Sequence, residues 1–588
     1  MHAAPRVQQE DMGKDQLLGR GPVNNEMDAR RRIRLSRPVY ILILSLLLEV
    51  AAPDPLYSQP NPQSKSAQDQ SGPSGQGQQQ ADAAYQKGMQ LLGEKRYAEA
   101  LREFQTVEQI APQIPQGSTG QGIALALMGK ADEAIKALQK ALQIDPSFWV
   151  ARRELGIVEW HLGRKEEAAK ELRQIVERYP NDEAANSILG QYEFEHQNYA
   201  QALAFFSKVS AQVEADSRLA IMQASAFLKT GQEDSAREKL QRLVGRPGLS
   251  REDAFQLAWL LGEAKLYKPA IEVFNSLPVD YPNRFTRNYG LALAYFEDEQ
   301  YSRCVETLKQ FQTQGITRPE LFSLLGVAEE RSGHTKEAYD AFREGILANP
   351  QDPQNYLNIA TLASQHLNYD LAIQILSSGI EVVLGSHELV LSRGIAYTLK
   401  AQFAQAHTDY ERAIQIAPQD PGNYVALGIS QLEEGNLDDA IGAFKKAGEL
   451  GSKDPQSFYF LAEALIQKGV ERGTAPFQQA RQATDTALSL DPNFAYAYLD
   501  RAKLALRAQE VDQAVRDLER AQALDPKSQS IAYLLAQTYQ RRGEEEKAER
   551  LFASVKESSE REARQFRENS LTQALVVISS NDHSGSSR

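Results

Sequence analysis

Residues His387 to Asp420 read HELVLSRGIAYTLKAQFAQAHTDYERAIQIAPQD, a stretch of 34 residues that carries the pattern of most of the chain. Small residues occupy its eighth and twentieth places, Gly394 and Ala406, and a large one, Tyr410, occupies its twenty-fourth. Small residues let two helix backbones come close, and a large residue fills the space beside them. Pro418, at the thirty-second place, ends a helix because its ring blocks the preceding turn. The stretch therefore predicts two helices packed side by side.

These places keep their register through fourteen units. The eighth place is always Gly or Ala, and the twenty-fourth is large and mostly apolar except for Thr484 in the twelfth unit. The twentieth place is occupied by Ala100, Ala134, Ala168, Ala202, Ala236, Ala270, Cys304, Ala338, Ala372, Ala406, Ala440, Ala480, Ala514 and Ala548. A six-residue insertion near residues 470–476 shifts the register and predicts a loop that projects from one face. Three constrained places held in phase indicate a repeat protein.

This pattern resembles the tetratricopeptide repeat (TPR), in which two antiparallel helices are joined by a short turn. The resemblance covers residues 81–562 and about fourteen repeats. It implies an all-α fold, a right-handed superhelical α-solenoid of antiparallel helix pairs. A single repeat cannot bury its own apolar face, so each is expected to pack against its neighbours.

The amino-acid composition of the chain argues against some classes of function. The formal net charge of −13 argues against nucleic-acid binding, which needs a basic face to displace counterions from the phosphates. The single cysteine excludes an intramolecular disulfide and a cysteine-rich metal site. Because Cys304 stands at a small-residue place, we interpret it as a buried substitute for alanine.

The N-terminal segment, residues 1–58, predicts export. Five arginines between residues 30 and 37 precede a ten-residue apolar run at residues 39–48. This order is typical of a secretory signal, and ten residues are too few to span a bilayer of about 30 Å. We expect a periplasmic or secreted protein, with Met27 as its true start. An uncleaved segment that anchors the chain to the membrane and a chance apolar run in a cytosolic protein remain open alternatives.

The remaining segments flank the repeats. Residues 59–80 are rich in Gln, Ser, Gly and Pro and predict a disordered linker. Residues 563–578 carry apolar side chains at helical spacing and predict a C-terminal capping helix over the last repeat. Residues 579–588 predict a disordered tail.

Motifs that carry chemistry are absent from the sequence. It has no phosphate-binding glycine loop, no HExxH and no GxSxG motif. The eight histidines are scattered, without the spacing of helical metal pairs. We therefore predict that the protein is not an enzyme and needs no cofactor or metal.

The family resemblance implies where a partner binds, because places two, five, nine and twelve of each first helix line the groove of such proteins. Large aromatic residues at these places dominate interface energetics. The candidate partner-binding residues are Trp160, Phe194, Phe255, Trp259, Tyr289 and Phe296. The alternative is that these side chains only pack against adjacent helices.

The sequence thus predicts a non-catalytic scaffold or adaptor in the cell envelope that binds peptide segments or helices of other proteins. Two alternatives remain open. One is a periplasmic scaffold of a polysaccharide-export or outer-membrane assembly complex, and the other is a carbohydrate-binding solenoid.

Overall fold

The computed structural model describes residues 75–282, 284–312 and 318–555. Within these ranges the chain is helical and contains no strand, which confirms the predicted all-α class. The predicted signal segment (1–58), the greater part of the linker (59–80), the capping helix (563–578) and the tail (579–588) lie outside the described residues.

The chain divides into two compact units, one ending at Leu243 and the other beginning at Val244. The first unit contains repeats one to five. Their helices are α1 (Gly75–Gly93), α2 (Tyr97–Ile110), α3 (Pro115–Leu127), α4 (Ala131–Ile144), α5 (Trp149–His161), α6 (Lys165–Arg178), α7 (Glu183–Glu195), α8 (Tyr199–Phe206), α9 (Ser210–Ala215), α10 (Ser217–Lys229) and α11 (Glu233–Leu243). A short 3₁₀ turn at Ser207–Val209 separates α8 from α9, so the second helix of repeat four is broken in two.

The second unit contains repeats six to fourteen. Their helices are α12 (Arg251–Glu263), α13 (Tyr267–Ser276), α14 (Arg284–Glu297), α15 (Tyr301–Gln312), α16 (Pro319–Arg331), α17 (Thr335–Ala348), α18 (Pro353–Gln365), α19 (Tyr369–Val382), α20 (His387–Leu399), α21 (Phe403–Ile416), α22 (Pro421–Glu434), α23 (Leu437–Glu449), α24 (Pro455–Lys468), α25 (Ala475–Leu490), α26 (Ala495–Arg507), α27 (Val511–Leu524), α28 (Gln529–Arg542) and α29 (Glu545–Val555).

The helix boundaries follow the 34-residue register. In repeat ten, α20 begins at the first place and α21 at the seventeenth, and the same two places begin the helices of most repeats. First helices of neighbouring repeats also contact each other within the second unit, as α20 does with α18 and α22. Each unit is therefore a stack of helix pairs, as predicted for an α-solenoid. At the N-terminal end the helix extends further than expected, since the last six residues of the predicted linker, 75–80, belong to α1. Glutamine, which fills most of this stretch, is a good helix former.

Close approach of the two helices explains the eighth and twenty-fourth places. A Cβ added to Gly326 would stand 2.3 Å from the ring of Phe342, and one added to Gly122 would stand 2.5 Å from Leu138. Both large side chains are buried, like Cys304 at the small place of repeat seven. Burial raises the pKa of the Cys304 thiol to about 12, as expected for a buried substitute for alanine rather than a nucleophile.

The turn between the two helices has one constant feature. The residue at place fifteen has a positive φ in all fourteen repeats, from Lys95 to Gly543. Seven of these residues are glycine and seven are not, so the left-handed conformation belongs to the turn rather than to one residue type.

The insertion in repeat twelve is exposed from residue 471 to residue 476. Val470 before it is buried, and its carbonyl accepts a hydrogen bond from Arg507. The second helix, α25, begins at Ala475, and the fully packed Phe477 anchors its first turn.

Candidate partner-binding site

Three of the predicted aromatic residues stand at place twelve, at the end of a first helix. Phe194 meets Tyr199 edge-on, and Phe296 meets Tyr301 in the same way, each with 5.5 Å between ring centroids. In repeat three the ammonium group of Lys165 lies over the Trp160 ring, 5.2 Å from its centroid. Tyr199, Tyr301 and Lys165 all stand at place seventeen, the first residue of the second helix. The place-twelve side chains therefore cover the start of their own second helix and remain half-buried.

Repeat six breaks this arrangement. It has a tyrosine at place seventeen, Tyr267, but its place twelve is Gly262. A Cβ added to Gly262 would have nothing within 4 Å, so the space that an aromatic ring fills in repeats four and seven is open here. Trp259 lies one helical turn before Gly262 on the same face of α12. We call the surface formed by Trp259, Gly262 and Tyr267 the repeat-six notch.

Packing fixes the tryptophan of the notch on one side only. The Trp259 ring meets the buried Phe274 ring edge-on, with 5.9 Å between centroids. Its edge also lies against α14, since a Cβ on Gly290 would stand 3.0 Å from its Cζ2 atom. Phe255 lies 6.2 Å from the Trp259 ring. Trp259 nevertheless stays half-buried, so part of this rigid ring is available for contact.

A carboxylate of the next repeat borders the notch. Glu297, which follows Phe296 at the end of α14, lies close enough to Tyr267 to influence its pKa. Burial, and then the negative charge of Glu297, raises the pKa of Tyr267. The tyrosine is therefore neutral at physiological pH, and the Glu297 carboxylate is its near neighbour.

Tyr289 belongs to a separate cluster. Its ring stacks on that of Phe285, with 5.4 Å between centroids and 11° between planes. Phe285 in turn packs against the buried Phe311 and lies under Arg318, whose guanidinium carbon is 4.3 Å from the ring centroid. Burial raises the pKa of Tyr289 to about 12. These contacts are those of a packing residue.

The predicted aromatic residues thus fall into separate groups. Trp160 and Phe194 belong to the first unit, whereas Phe255, Trp259, Tyr289 and Phe296 belong to the second. The structure brings Phe255 and Trp259 together and pairs Phe194 and Phe296 with tyrosines of their own repeats. Whether these six residues bind a partner stays a prediction.

Sequence reasoning missed Gly262 and Tyr267. They were missed because places twelve and seventeen are not part of the constrained pattern. A comparison of these two places across the repeats could have found them.

Within the described ranges, no group of three or more His, Cys, Asp or Glu side chains is arranged to hold a metal ion. In the same part of the chain, no helix combines the length and the apolar character needed to cross a membrane.

Comparison with known families adds independent information. One family model of the tetratricopeptide repeat matches residues 125–192 and 505–567, and a second matches residues 79–147 and 477–528. The matched regions include the first three repeats, most of the second helix of repeat twelve, and the described part of the last two repeats.

Curated relatives share parts of the chain. Anaphase-promoting complex subunit 3 of Schizosaccharomyces pombe is 20% identical over 48% of this chain and 41% of its own length. BBSome complex member BBS4 of Mus musculus is 24% identical over 32% of this chain and 36% of its own. Heat shock protein STI1 of Saccharomyces cerevisiae is 35% identical over 21% of this chain and 20% of its own. The chain therefore spans about two fifths, or less, of the length of these relatives.

Solved structures with similar elements include the APC/C hetero-tetramer Cut9-Hcn1, with a TM-score of 0.35, 14% identity and coverage of 78% of this chain and 96% of that one. Yeast Tom70 has a TM-score of 0.35 and 15% identity, with coverage of 85% of this chain and 96% of its own.

Proposed function

We propose that this chain, a tetratricopeptide-repeat protein, is a non-catalytic scaffold that receives a side chain of a partner protein in the repeat-six notch. Tetratricopeptide repeats generally mediate protein–protein interaction. Two of the relatives are by name members of multi-subunit complexes, the anaphase-promoting complex and the BBSome. A scaffold role needs only a rigid surface and a partner that fits it, which agrees with a chain built of packed helix pairs.

The observation that carries the proposal is the interrupted pair at places twelve and seventeen. In repeats four and seven an aromatic ring at place twelve covers the tyrosine at place seventeen. In repeat six place twelve is Gly262, so no ring from that place covers Tyr267. A large apolar side chain of a partner would restore the missing pair and cover the exposed part of Trp259. An aromatic anchor in a preformed pocket contributes much binding energy for little loss of conformational entropy.

The experiment fills the notch from within. Gly262→Phe recreates the Phe296–Tyr301 arrangement of the next repeat, and Gly262→Ala is the matched control that leaves most of the space open. The wild-type chain and both variants are used in a crosslinking pull-down, with circular dichroism to confirm equal helicity. We expect a partner that the wild type and the alanine variant capture and the phenylalanine variant loses. If all three capture the same proteins, the notch is not the binding site.

We also propose that this scaffold works outside the cytoplasm, in the cell envelope. The proposal rests on the arginine-rich segment and the apolar run at residues 39–48. The test is cell fractionation with N-terminal sequencing of the purified protein. A mature chain that starts after residue 48 and is found in the envelope or medium supports export, and a cytosolic chain that retains the apolar run contradicts it.

A further inference from the structure

We propose that Arg287 forms a binding site for a carboxylate, supplied by an aspartate or glutamate side chain of a partner protein. Arg287 lies on α14, at place three of repeat seven. The site goes beyond the proposed function, because it uses no residue of the repeat-six notch and does not depend on the notch being occupied.

Place three is a core place, and Arg287 is the one residue with a positive charge at that place in the fourteen repeats. Asn355 and Asn423, which stand there in repeats nine and eleven, are fully buried. The amide of Asn423 donates to the carbonyl of Ala417 in the preceding repeat, at 2.8 Å. Packing against the preceding repeat is therefore achieved elsewhere without a charge at place three.

The guanidinium group of Arg287 is buried without an anion. The residue is only 7% exposed, its Nη1 donates to Oδ1 of Asn288 at 2.7 Å, and its Nε has no hydrogen-bond partner among the described residues. Burial lowers the pKa of Arg287, and in the described part of the chain Tyr295 alone opposes this effect, with no contribution from a carboxylate. The internal residues outside the described ranges, 283 and 313–317, include no Asp or Glu. Since arginine keeps its proton in proteins, the buried charge is left without compensation.

Other arginines of the chain show how such a group is completed. Arg393 donates from Nε and Nη2 to the two carboxylate oxygens of Asp409, while its Nη1 donates to Ser377. Arg501 binds its own aspartate through the same two nitrogen atoms. In Arg287 the Nη1 atom also has its polar partner, but no carboxylate of the described residues fills the fork of Nε and Nη2. A planar carboxylate matches this fork in both geometry and charge.

The surroundings of Arg287 favour a carboxylate at the end of a side chain. The small exposed fraction leaves a narrow approach, which suits an aspartate or glutamate side chain better than a bulky anion. Tyr295, whose charge affects Arg287, accepts a hydrogen bond from Asn275 at 3.4 Å. The hydroxyl of Tyr295 therefore keeps its own proton to donate, and a bound carboxylate would accept it.

The experiment is a peptide-display library sorted against the full chain, with Arg287→Met as the counter-selection. Methionine keeps an unbranched side chain in the core place and removes the charge, and circular dichroism checks that helicity is unchanged. Each enriched peptide is made with its Asp or Glu and with the corresponding Asn or Gln. We expect the amide form to bind the wild type about tenfold more weakly, and both forms to bind Arg287→Met equally.

Two further variants act as controls. Arg303→Met removes an exposed arginine of the same repeat and should bind the peptides as the wild type does. Arg287→Lys keeps the charge without the fork, so it should retain part of the preference for the acidic form, and it also tests the site if Arg287→Met does not fold.

The outcomes separate the possible sources of the carboxylate. If no peptide is sensitive to Arg287→Met, or if amide forms bind the wild type as well as acidic forms do, Arg287 is only a packing residue. Acetate at constant ionic strength is the second probe, read by hydrogen exchange in α14. Protection by acetate that Arg287→Met abolishes, without any acid-dependent peptide, would assign the site to a free small carboxylate and overturn the partner side chain. Gly262→Phe should bind the acidic peptides unchanged, so a failure at Arg287 leaves the proposed function of the notch intact.

Discussion

Gly394 lies so close to Tyr410 that a Cβ added to the glycine would stand 2.7 Å from Cε1 of the tyrosine ring. The tyrosine ring cannot move away from an added methyl group, because Tyr410 is fully buried and its hydroxyl is hydrogen-bonded to Thr398 at 2.8 Å. The contact brings α20 and α21 together and requires glycine in the first helix of this repeat.

We therefore expect Gly394→Ala to destabilise repeat ten by about 1–2 kcal/mol, since overpacking outweighs the better helix propensity of alanine. Gly262→Ala is the matched control, because its Cβ meets open space, and it should leave repeat six unchanged or up to about 1 kcal/mol more stable. Hydrogen exchange of peptides from α20, α21 and α12 measures each repeat by itself, which suits an array that can open locally. Equal effects of the two substitutions would contradict the close-packing account.

How much the sequence predicts depends on whether a place keeps its residue type. Places eight, twenty and twenty-four are constrained by a single contact, such as the one between Gly394 and Tyr410, so the residue type repeats and the pattern is readable. The notch is different, because Gly262 and Tyr267 matter only through their departure from repeats four and seven. Place fifteen is hidden for another reason. Place fifteen needs a positive φ, but its residue type varies, with Leu367 in one repeat and glycine in another.

Leu367 offers a test of strain in that turn. Its φ is +58°, a conformation that costs a residue with a side chain about 1 kcal/mol, and its side chain is 66% exposed and contributes little packing. We expect Leu367→Gly to stabilise repeat nine by roughly 0.5–1 kcal/mol, read by hydrogen exchange in α18 and α19. The reverse change at the same place of repeat eleven, Gly435→Ala, should destabilise that repeat by about 1 kcal/mol, because the φ of Gly435 is +90°. A destabilising Leu367→Gly would show that the turn is not strained.

A buried ion pair recurs in two repeats and gives a third prediction. Arg501 donates two hydrogen bonds to Asp517, at 3.0 and 2.7 Å, and Arg393 binds Asp409 in the same way in repeat ten. The Asp517 side chain is only 3% exposed. We expect Arg501→Leu to cost about 3 kcal/mol, because it leaves a buried carboxylate without its cation.

Repeat fourteen shows how the same space is filled without charge. It has Leu535 and Leu551 at the places of Arg501 and Asp517. The double variant Arg501→Leu with Asp517→Leu should therefore recover most of the lost stability in urea-unfolding curves. If the double variant is as unstable as Arg501→Leu, the loss comes from packing rather than from the unpaired charge.

The carboxyl group of Glu159 is buried, and it lacks the cation that binds the glutamate at the same place in two other repeats. Glu193 and Glu329 stand at the same place, and each binds a cation of the preceding repeat, Arg173 at 2.7 Å and Lys309 at 2.6 Å. The corresponding residue of repeat two is Gln139, and the Oε2 atom of Glu159 has no hydrogen-bond partner among the described residues. Burial, followed by the charges of Glu171 and Glu167, raises the pKa of Glu159 to about 7.

A raised carboxyl pKa means that the folded chain keeps a proton that the unfolded chain has already lost. Stability should therefore fall as the pH rises from about 4.5 to about 7, by roughly 2–3 kcal/mol, and stay low above that pH. Glu159→Gln should remove this dependence, and Gln139→Arg should reduce it by supplying the missing cation. Urea unfolding at pH 5 and pH 8 tests both, with the first unit followed by hydrogen exchange in α5. If the wild type and Glu159→Gln lose the same stability between pH 5 and pH 8, the buried Glu159 carboxyl is not the group responsible.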